Sequence, residues 1–240
     1  MKKVLCIMLA ALMLLCFVSC SESTATADGS KVEEVEHVYT TNGNSKFEYD
    51  FTEVNTVKII GYSGNFEVHA VTVPSAIIYN DQEYPVTEIA DKAFYYANNI
   101  SSIVLPDSIT TIGDWAFAGC SYLTNVTIPE SVTSIGIGAF HSCIALKDQK
   151  LPAALTEIAD YTFYACSALA TLDVPATVTA IGNSAFWGCT ALTEVNGMAG
   201  IETIGGYAFN GCEKLTKVAK TEGVKIGEFA FNECTALNNK

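Results

Sequence analysis

Residues 112–134 read IGDWAFAGCSYLTNVTIPESVTS, and copies of this pattern fill more than half of the chain. Phenylalanine marks the same place in each copy, at positions 94, 117, 140, 163, 186, 209 and 231, at intervals of 23, 23, 23, 23, 23 and 22 residues. A fixed period of roughly 20–50 residues is the signature of a solenoid, whose repeats bury their apolar sides against their neighbours. We therefore predict stacked coils with the phenylalanines in a buried internal column.

The second half of each copy is predicted to form a β-strand. Leu123-x-x-Val126-x-Ile128 has the spacing of a leucine-rich repeat strand, and Val126 and Ile128 point to the same side of it. Pro129 ends the strand, because proline has no N–H to donate. The predicted fold is a leucine-rich repeat solenoid, with a β-strand and a short helical or 3₁₀ turn in each coil and a parallel sheet on one face.

Aspartate or asparagine stands three positions before the phenylalanine in four copies. We expect it to cap the helical turn by accepting a free backbone N–H. A calcium ladder is the alternative, but Ile137 and Gly206 replace the oxygen ligand in two copies. The expected capping residues are Asp91, Asp114, Asp160 and Asn183.

Cysteine follows the phenylalanine by three residues in six copies, at positions 120, 143, 166, 189, 212 and 234. In an exported chain this pattern suggests disulfides or a metal site. Stacked strands lie about 4.8 Å apart, however, which exceeds the ~3.8 Å between the Cβ atoms of a disulfide. Ala97 fills the position in the first copy, so a small apolar residue is sufficient. We predict a ladder of buried, reduced cysteines, with no metal and no cofactor.

The N-terminus has the pattern of an export signal. Two lysines precede an apolar run from Val4 to Val18 that is shorter than the ~20 residues of a membrane-spanning helix. The sequence FVSC that ends at Cys20 resembles a bacterial lipobox, whose cysteine becomes lipidated; an ordinary cleaved signal peptide is the alternative. We predict a lipoprotein signal peptide over 1–19 and, because the next stretch is polar, a lipidated cysteine and flexible tether over 20–45.

The remaining chain is predicted to comprise an N-terminal β capping region over 46–86 and the repeat solenoid over 87–240. The 240 residues include 26 acidic and 13 basic side chains, all of the latter lysine, for a net charge of −13. A nucleic-acid-binding protein needs a basic surface, so we expect no nucleic-acid partner. An acidic membrane surface would also repel the chain, so any membrane attachment must be covalent or mediated by another protein.

Catalytic motifs were sought and are absent from the sequence. The three histidines lack metal-ligand spacing, and there is neither a Gly-x-Ser-x-Gly elbow nor a phosphate-binding glycine loop. His141 with Cys143 could form a nucleophile pair, but the repeat already explains Cys143. We therefore predict that the protein is not an enzyme.

Aromatic residues that flank the core phenylalanines are the candidate ligand-contact surface. Amphipathic rings are favoured at interfaces, so a stacked row could bind protein or sugar. The alternative is that the rings shield the turns and fill gaps between coils. Exposed, coplanar rings at Trp115 and Trp187 would favour a glycan, whereas buried rings would favour protein contact or a scaffold. The candidates are Tyr95, Trp115, Tyr161, Tyr164, Trp187 and Tyr207.

The unit Ala-Phe-x-x-Cys-x-x-Leu-x-x-Val-x-Ile-Pro at 116–129 resembles the BspA-like leucine-rich repeat family, and residues 61–64 and 84–89 resemble a leader that often precedes these repeats. The resemblance implies a surface-exposed or secreted protein of the kind implicated in adhesion. We expect a non-catalytic outer-membrane lipoprotein, exposed at the cell surface, that binds a host or microbial surface protein. The alternatives are a glycan-binding accessory lipoprotein and a structural scaffold of an envelope assembly.

Overall fold

The computed structural model describes the backbone of residues 16–20 and 37–42 and, with side chains, residues 45–65, 67, 69–218 and 222–237. The remaining residues of the predicted export signal and tether lie outside this part. The strands before the first coil are β1 (Cys16–Cys20), β2 (His37–Asn42), β3 (Ser45–Phe51), β4 (Val57–Gly64), β5 (His69–Thr72), β6 (Ala76–Tyr79) and β7 (Gln82–Ile89). Strands β1 to β4 are antiparallel neighbours, and β4 then pairs in parallel with β7.

Each full coil contributes one strand to each of two parallel ladders. The ladder predicted from the Val-x-Ile segment contains β8 (Ile100–Val104), β10 (Asn125–Thr127), β12 (Gln149–Lys150), β14 (Thr171–Asp173), β16 (Glu194–Asn196) and β18 (Lys217–Val218). The second ladder, which the sequence pattern did not indicate, contains β9 (Thr111–Ile112), β11 (Ser134–Ile135), β13 (Glu157–Ile158), β15 (Ala180–Ile181), β17 (Thr203–Ile204) and β19 (Lys225–Ile226). Neighbouring coils align one repeat apart, as in Val126 opposite Ile103. The predicted solenoid is confirmed.

The N-terminal strands continue directly into both ladders. Strand β7 pairs in parallel with β9, and β5 pairs in parallel with β8. The first coil is therefore covered by β-structure on its N-terminal side.

The third wall of the solenoid is a stack of turns around the phenylalanines. We number the coils one to seven by these phenylalanines, from Phe94 to Phe231. Within each turn, every second backbone N–H group donates to a carbonyl of the next coil. In coil two, for example, the N–H groups of Trp115 and Phe117 donate to the carbonyls of residues 137 and 139, both at 2.8 Å. This alternation places the residues two before and two after each phenylalanine in the left-handed region, at φ between 51° and 76°. Among the described residues the one helix is a 3₁₀ turn at Met198–Gly200, so the repeated helical turn is not formed.

The predicted capping residues instead bridge neighbouring coils. Asp91 Oδ1 accepts the N–H of Asp114, whose own Oδ1 accepts the N–H of Ile137, both at 2.7 Å. Asp160 and Asn183 make the same bond to the following coil. The prediction of an N-cap was wrong because the turn does not begin a helix. The N–H group that needs an acceptor belongs instead to the next coil of the chain.

A column of stacked phenylalanine rings forms the core. Successive ring centroids lie 4.9–5.5 Å apart, with planes within 17° of parallel, from Phe94 to Phe231. Tyr62 of β4 stacks on Phe94 at 5.1 Å and extends the column into the N-terminal strands. The six cysteines are free and buried; Cys120 Sγ donates to the Phe94 carbonyl at 3.0 Å. The predicted spine is confirmed, with six of its seven rings buried and Phe231 of the last coil partly buried. The buried cysteine ladder is confirmed as well.

Both ladders are interrupted at one level of the solenoid. Strands β10 and β11 end their sheets, and β12 and β13 begin the next pair. Glycine follows the isoleucine in most coils, and a Cβ placed on Gly136 or Gly182 would come within 2.6 Å or 2.4 Å of a backbone N of the preceding coil. Ala159 carries a Cβ at this place. We expect its methyl group to hinder the close approach that the glycines allow, and so to contribute to the break between β11 and β13.

Candidate functional site

The wall of turns brings most of the predicted aromatic residues together. Trp115, His141, Tyr161, Tyr164 and Trp187 are linked by ring-centroid distances of 4.5–6.5 Å and span coils two to five. We call these five residues the aromatic cluster. His141 was considered from the sequence only as a catalytic partner of Cys143, and its place among the rings follows from the stacking of the coils.

Trp115 closes a gap between two coils. Its φ is +56°, a conformation that costs a bulky residue roughly 1–2 kcal/mol. The indole ring lies over Gly138 of the next coil, where an added Cβ would come within 2.7 Å of it. This packing and its half-buried state fit the gap-filling interpretation for Trp115.

His141, Tyr164 and Trp187 form a regular row on three consecutive coils. The centroid distances are 4.5 Å and 4.6 Å, and the interplanar angles are 1° and 8°. Each ring therefore covers the face of its neighbour, and the row presents ring edges to solvent, with Trp187 36% exposed. Burial lowers the pKa of His141, so this ring is neutral at physiological pH.

Two candidates lie apart from the aromatic cluster. Tyr207 stacks on Phe229 in coils six and seven at 5.1 Å. Tyr95 of coil one is separated from the row by Ala118, which is 2% exposed, and instead contacts Tyr96 at 4.6 Å with the rings at 86°. Tyr96 was not singled out from the sequence, although a bulky residue where other copies carry glycine was a signal.

The outward face of the first ladder is polar and largely satisfied within itself. Lys217 Nζ lies 3.0 Å from Glu194 Oε1, Asn196 Nδ2 donates to Asp173 at 3.1 Å, and Thr171 Oγ1 donates to Asp148 at 2.9 Å. Such pairs hold adjacent coils together and leave few free polar groups for a partner.

A polar cluster in the N-terminal strands escaped the sequence analysis. Ser45 Oγ and Tyr62 Oη each lie 3.1 Å from His69 Nε2, and Nδ1 of the same ring donates to the Glu67 carbonyl at 2.7 Å. A hydroxyl on an acceptor nitrogen is the arrangement of an activated nucleophile. Ser45 is only 6% exposed, however, so a substrate has little access to it. The contacts instead fix the position of Tyr62.

The described residues offer no group of three or more side chains that could hold a metal ion. Within the same residues, no helix is long and apolar enough to cross a membrane.

Stacked parallel coils with a partly exposed aromatic wall define a leucine-rich repeat protein of the interaction type. The profile of the BspA-type leucine-rich repeat region matches residues 87–216 and 156–240, with six copies. The chain belongs to the BspA-type leucine-rich repeat family. Repeats of this family generally bind other proteins and are not catalytic, and the proteins that carry them are typically found at bacterial surfaces.

Solved structures of bacterial leucine-rich repeat proteins are similar to this chain. A T. pallidum leucine-rich repeat protein is 32% identical over 80% of this chain and 88% of its own, with a TM-score of 0.74. A leucine-rich cell surface protein from Faecalibacterium prausnitzii is 32% identical over 83% of this chain and 53% of its own, with a TM-score of 0.73. The pneumococcal vaccine antigen PcpA, at 20% identity and a TM-score of 0.51, shares the fold. No curated protein matches the chain.

Proposed function

We propose that the protein is a lipid-anchored bacterial surface protein that adheres to a protein partner through the aromatic cluster. The observation that carries this proposal is the row of stacked rings on coils three to five, which presents its edges along one side of a rigid solenoid. Aromatic residues are enriched in the energetically dominant parts of protein interfaces. Rigid rings also lose little conformational entropy when they bind.

Stacking within the row favours protein over glycan at this surface. A sugar platform needs an open ring face, whereas the faces of His141 and Tyr164 are covered by their neighbours at about 4.5 Å. Ring edges that carry an indole N–H, a phenol hydroxyl and an imidazole can meet both apolar and polar groups of a protein.

The charge of the chain favours a basic partner surface. The net charge is −13, and Asp114 and Asp160 directly precede Trp115 and Tyr161 of the aromatic cluster. Arginine or lysine side chains of a partner can pair with these carboxylates and stack on the rings. We expect binding to weaken as the salt concentration rises, because exposed charges are screened.

The membrane anchor is proposed at Cys20. Processing there would remove Cys16–Ser19 of β1 from the N-terminal sheet and leave β2 as its edge. Strand β2 keeps its own antiparallel pairing with β3 from Val38 to Asn42, so the sheet does not depend on β1. Two or more acyl chains on the cysteine would hold the protein stably to a bilayer.

The binding proposal is tested by screening the full-length protein against immobilised matrix proteins and bacterial surface proteins. The double variant Tyr164→Ala/Trp187→Ala should weaken binding of any hit at least about tenfold, since each interface anchor contributes about 2 kcal/mol or more. Tyr122→Ala is the matched control, because Tyr122 is 57% exposed and lies outside the aromatic cluster. Equal binding by the double variant and the control would exclude the aromatic cluster as the contact surface.

The anchor is tested separately by fractionating cells that express the wild-type protein or Cys20→Ser. The wild-type chain should be acylated and sediment with membranes, and the variant should be released. A variant that remains in the membrane fraction would contradict lipidation at Cys20 without affecting the binding result.

A further inference from the structure

A second surface site lies where the N-terminal strands meet the first coil. A cavity of about 440 Å³ opens between the end of β4 and the first turn of the solenoid. This volume falls within the roughly 300–1,000 Å³ of small-ligand pockets. Three tyrosines and three asparagines dominate its lining: Tyr62, Tyr95, Tyr96, Asn65, Asn98 and Asn99.

The chemistry of the lining selects a neutral ligand. None of the described residues that line the cavity carries a charge, so a phosphate or carboxylate would find no counter-ion among them. Each amide side chain offers both donors and an acceptor, and each tyrosine offers a hydroxyl next to an apolar ring. A ligand with alternating hydroxyl groups and apolar C–H faces matches both kinds of group.

One lining residue has an unsatisfied polar atom. Asn65 Oδ1 is buried and has no hydrogen-bond partner, while the backbone carbonyl of the same residue accepts Asn99 Nδ2 at 2.8 Å. Buried polar atoms are rarely left unpaired because desolvation costs free energy. This oxygen has almost no accessible surface, so a ligand hydroxyl could donate to it only after the Asn65 side chain turns toward the cavity.

The two tyrosines of the first turn are exposed although one of them also packs between coils, since the Tyr96 ring lies over Gly119 of the next coil. Tyr95 and Tyr96 are 48% and 61% exposed, and their rings stand at right angles. Tyr96 has φ +55° at a place where coils two, five and six carry glycine in the same left-handed conformation. The repeat imposes this backbone conformation in every coil, and the distinguishing feature of coil one is that two adjacent aromatic rings remain exposed there. Exposed amphipathic rings are suited to ligand contact.

The back wall of the cavity is held in place before any ligand arrives. The Tyr62 hydroxyl contacts Ser45 Oγ at 3.3 Å and His69 Nε2 at 3.1 Å, and its ring stacks on Phe94. Asn98 Oδ1 accepts both the N–H and the hydroxyl of Ser121 at 2.9 Å and 2.7 Å. A preorganised wall reduces the entropy lost on binding.

We propose that this cavity binds a saccharide, with one pyranose ring packed on the exposed tyrosines and its hydroxyls bonded to the asparagine amides. The site is independent of the aromatic cluster, since it is formed by coil one and β4 and the cluster begins on coil two. A free monosaccharide and the terminal unit of a glycan chain both present such a pyranose ring with its hydroxyl groups.

The test uses the full-length protein with a panel of neutral hexoses and N-acetylhexosamines, measured by ligand-observed NMR and by titration, and with an array of immobilised glycans. We expect at least one monosaccharide to bind in the millimolar range. Binding to glycans on the array but not to free sugars would mean that the protein recognises a sugar unit only as part of a glycan chain. Tyr96→Gly, which introduces the residue natural to other coils, and Asn65→Ala should each weaken binding by about tenfold or more. The control Tyr164→Ala/Trp187→Ala should bind the same saccharide as tightly as the wild type.

Two outcomes would overturn the proposal. One is the absence of saccharide binding by a protein whose circular dichroism shows it to be folded. The other is saccharide binding that survives Tyr96→Gly. Since the protein-binding screen responds to Tyr164 and Trp187 instead, failure here leaves that proposal untouched, and the reverse also holds.

Discussion

Replacing Phe163 by alanine tests the central column of the solenoid. The Phe163 ring is fully buried and lies 5.5 Å from the rings of both Phe140 and Phe186. Removing it leaves a cavity between two rigid rings that cannot both move into it. Phenylalanine-to-alanine changes in cores cost about 3–5 kcal/mol, and two aromatic contacts of about 0.5–1.5 kcal/mol each are lost as well. The measured range already includes lost contacts, so with two ring contacts removed we expect the free energy of unfolding to fall by an amount near its upper end, about 4–5 kcal/mol.

The fluorescence of the two tryptophans can monitor unfolding on the two sides of Phe163. Trp115 lies on coil two and Trp187 on coil five, so single-tryptophan variants followed by fluorescence in urea monitor each half of the solenoid. Repeat proteins are held together by nearest-neighbour interfaces, and we expect the two unfolding midpoints to separate in Phe163→Ala and to coincide in the wild type. Tyr161→Ala is the control on the same coil, because this ring is 38% exposed. A loss of less than about 1 kcal/mol, equal to that of the control, would refute the role of the column.

Three further predictions concern the packing between coils. Gly205→Ala should destabilise the fold by about 1–3 kcal/mol in urea unfolding, since its Cβ would lie 2.5 Å from Asn183 N; a neutral result would contradict the close approach of the coils. Ala159→Gly should let the interrupted ladders join and slow amide hydrogen exchange in β13; unchanged exchange would mean that the methyl group is not the cause. Burial raises the pKa of Cys189 to about 12, whereas an unfolded thiol titrates near 8.5. The stability that the buried neutral thiol contributes is fully present below about pH 8.5. As the pH rises from there toward 12, the unfolded chain ionises first, and the free energy of unfolding falls by up to about 1.4 kcal/mol per pH unit. Cys189→Ala should therefore show a shallower fall in urea midpoint above about pH 8.5, and an equal slope would exclude this thiol.

Much of the core could be predicted because it repeats. A residue that recurs at one place in every coil must meet its own copies, so the stacking of Phe117 on Phe140 and the burial of Cys143 follow from the period alone. The same reasoning failed for the turn. Asp114 three residues before a phenylalanine suits an N-cap, but its partner is the N–H of Ile137 in the next coil, and a local pattern carries no information about bonds across coils.

The candidate sites were only partly predictable. The flanking aromatic residues were visible in the sequence as exceptions to the repeat, and four of the six candidates belong to the aromatic cluster. Which ring faces remain open depends on the separation of the coils, and Tyr164 and Trp187 lie close enough to cover one another. This covering of ring faces is the reason why we propose a protein, and not the alternative glycan, as the partner of this surface.

The amino-acid sequence by itself determined the period, the coil, the buried spine and the family, because each of these depends on residues that recur at a constant spacing. Tertiary structure alone decided how the coils bond to one another and where a ligand could enter. The cavity at the N-terminal end joins Asn65 to Tyr96, which lie far apart in the chain and belong to no common motif. Both line the cavity because Tyr62 of β4 and Phe94 of the first turn stack in the same column of rings, an arrangement that only the tertiary structure contains.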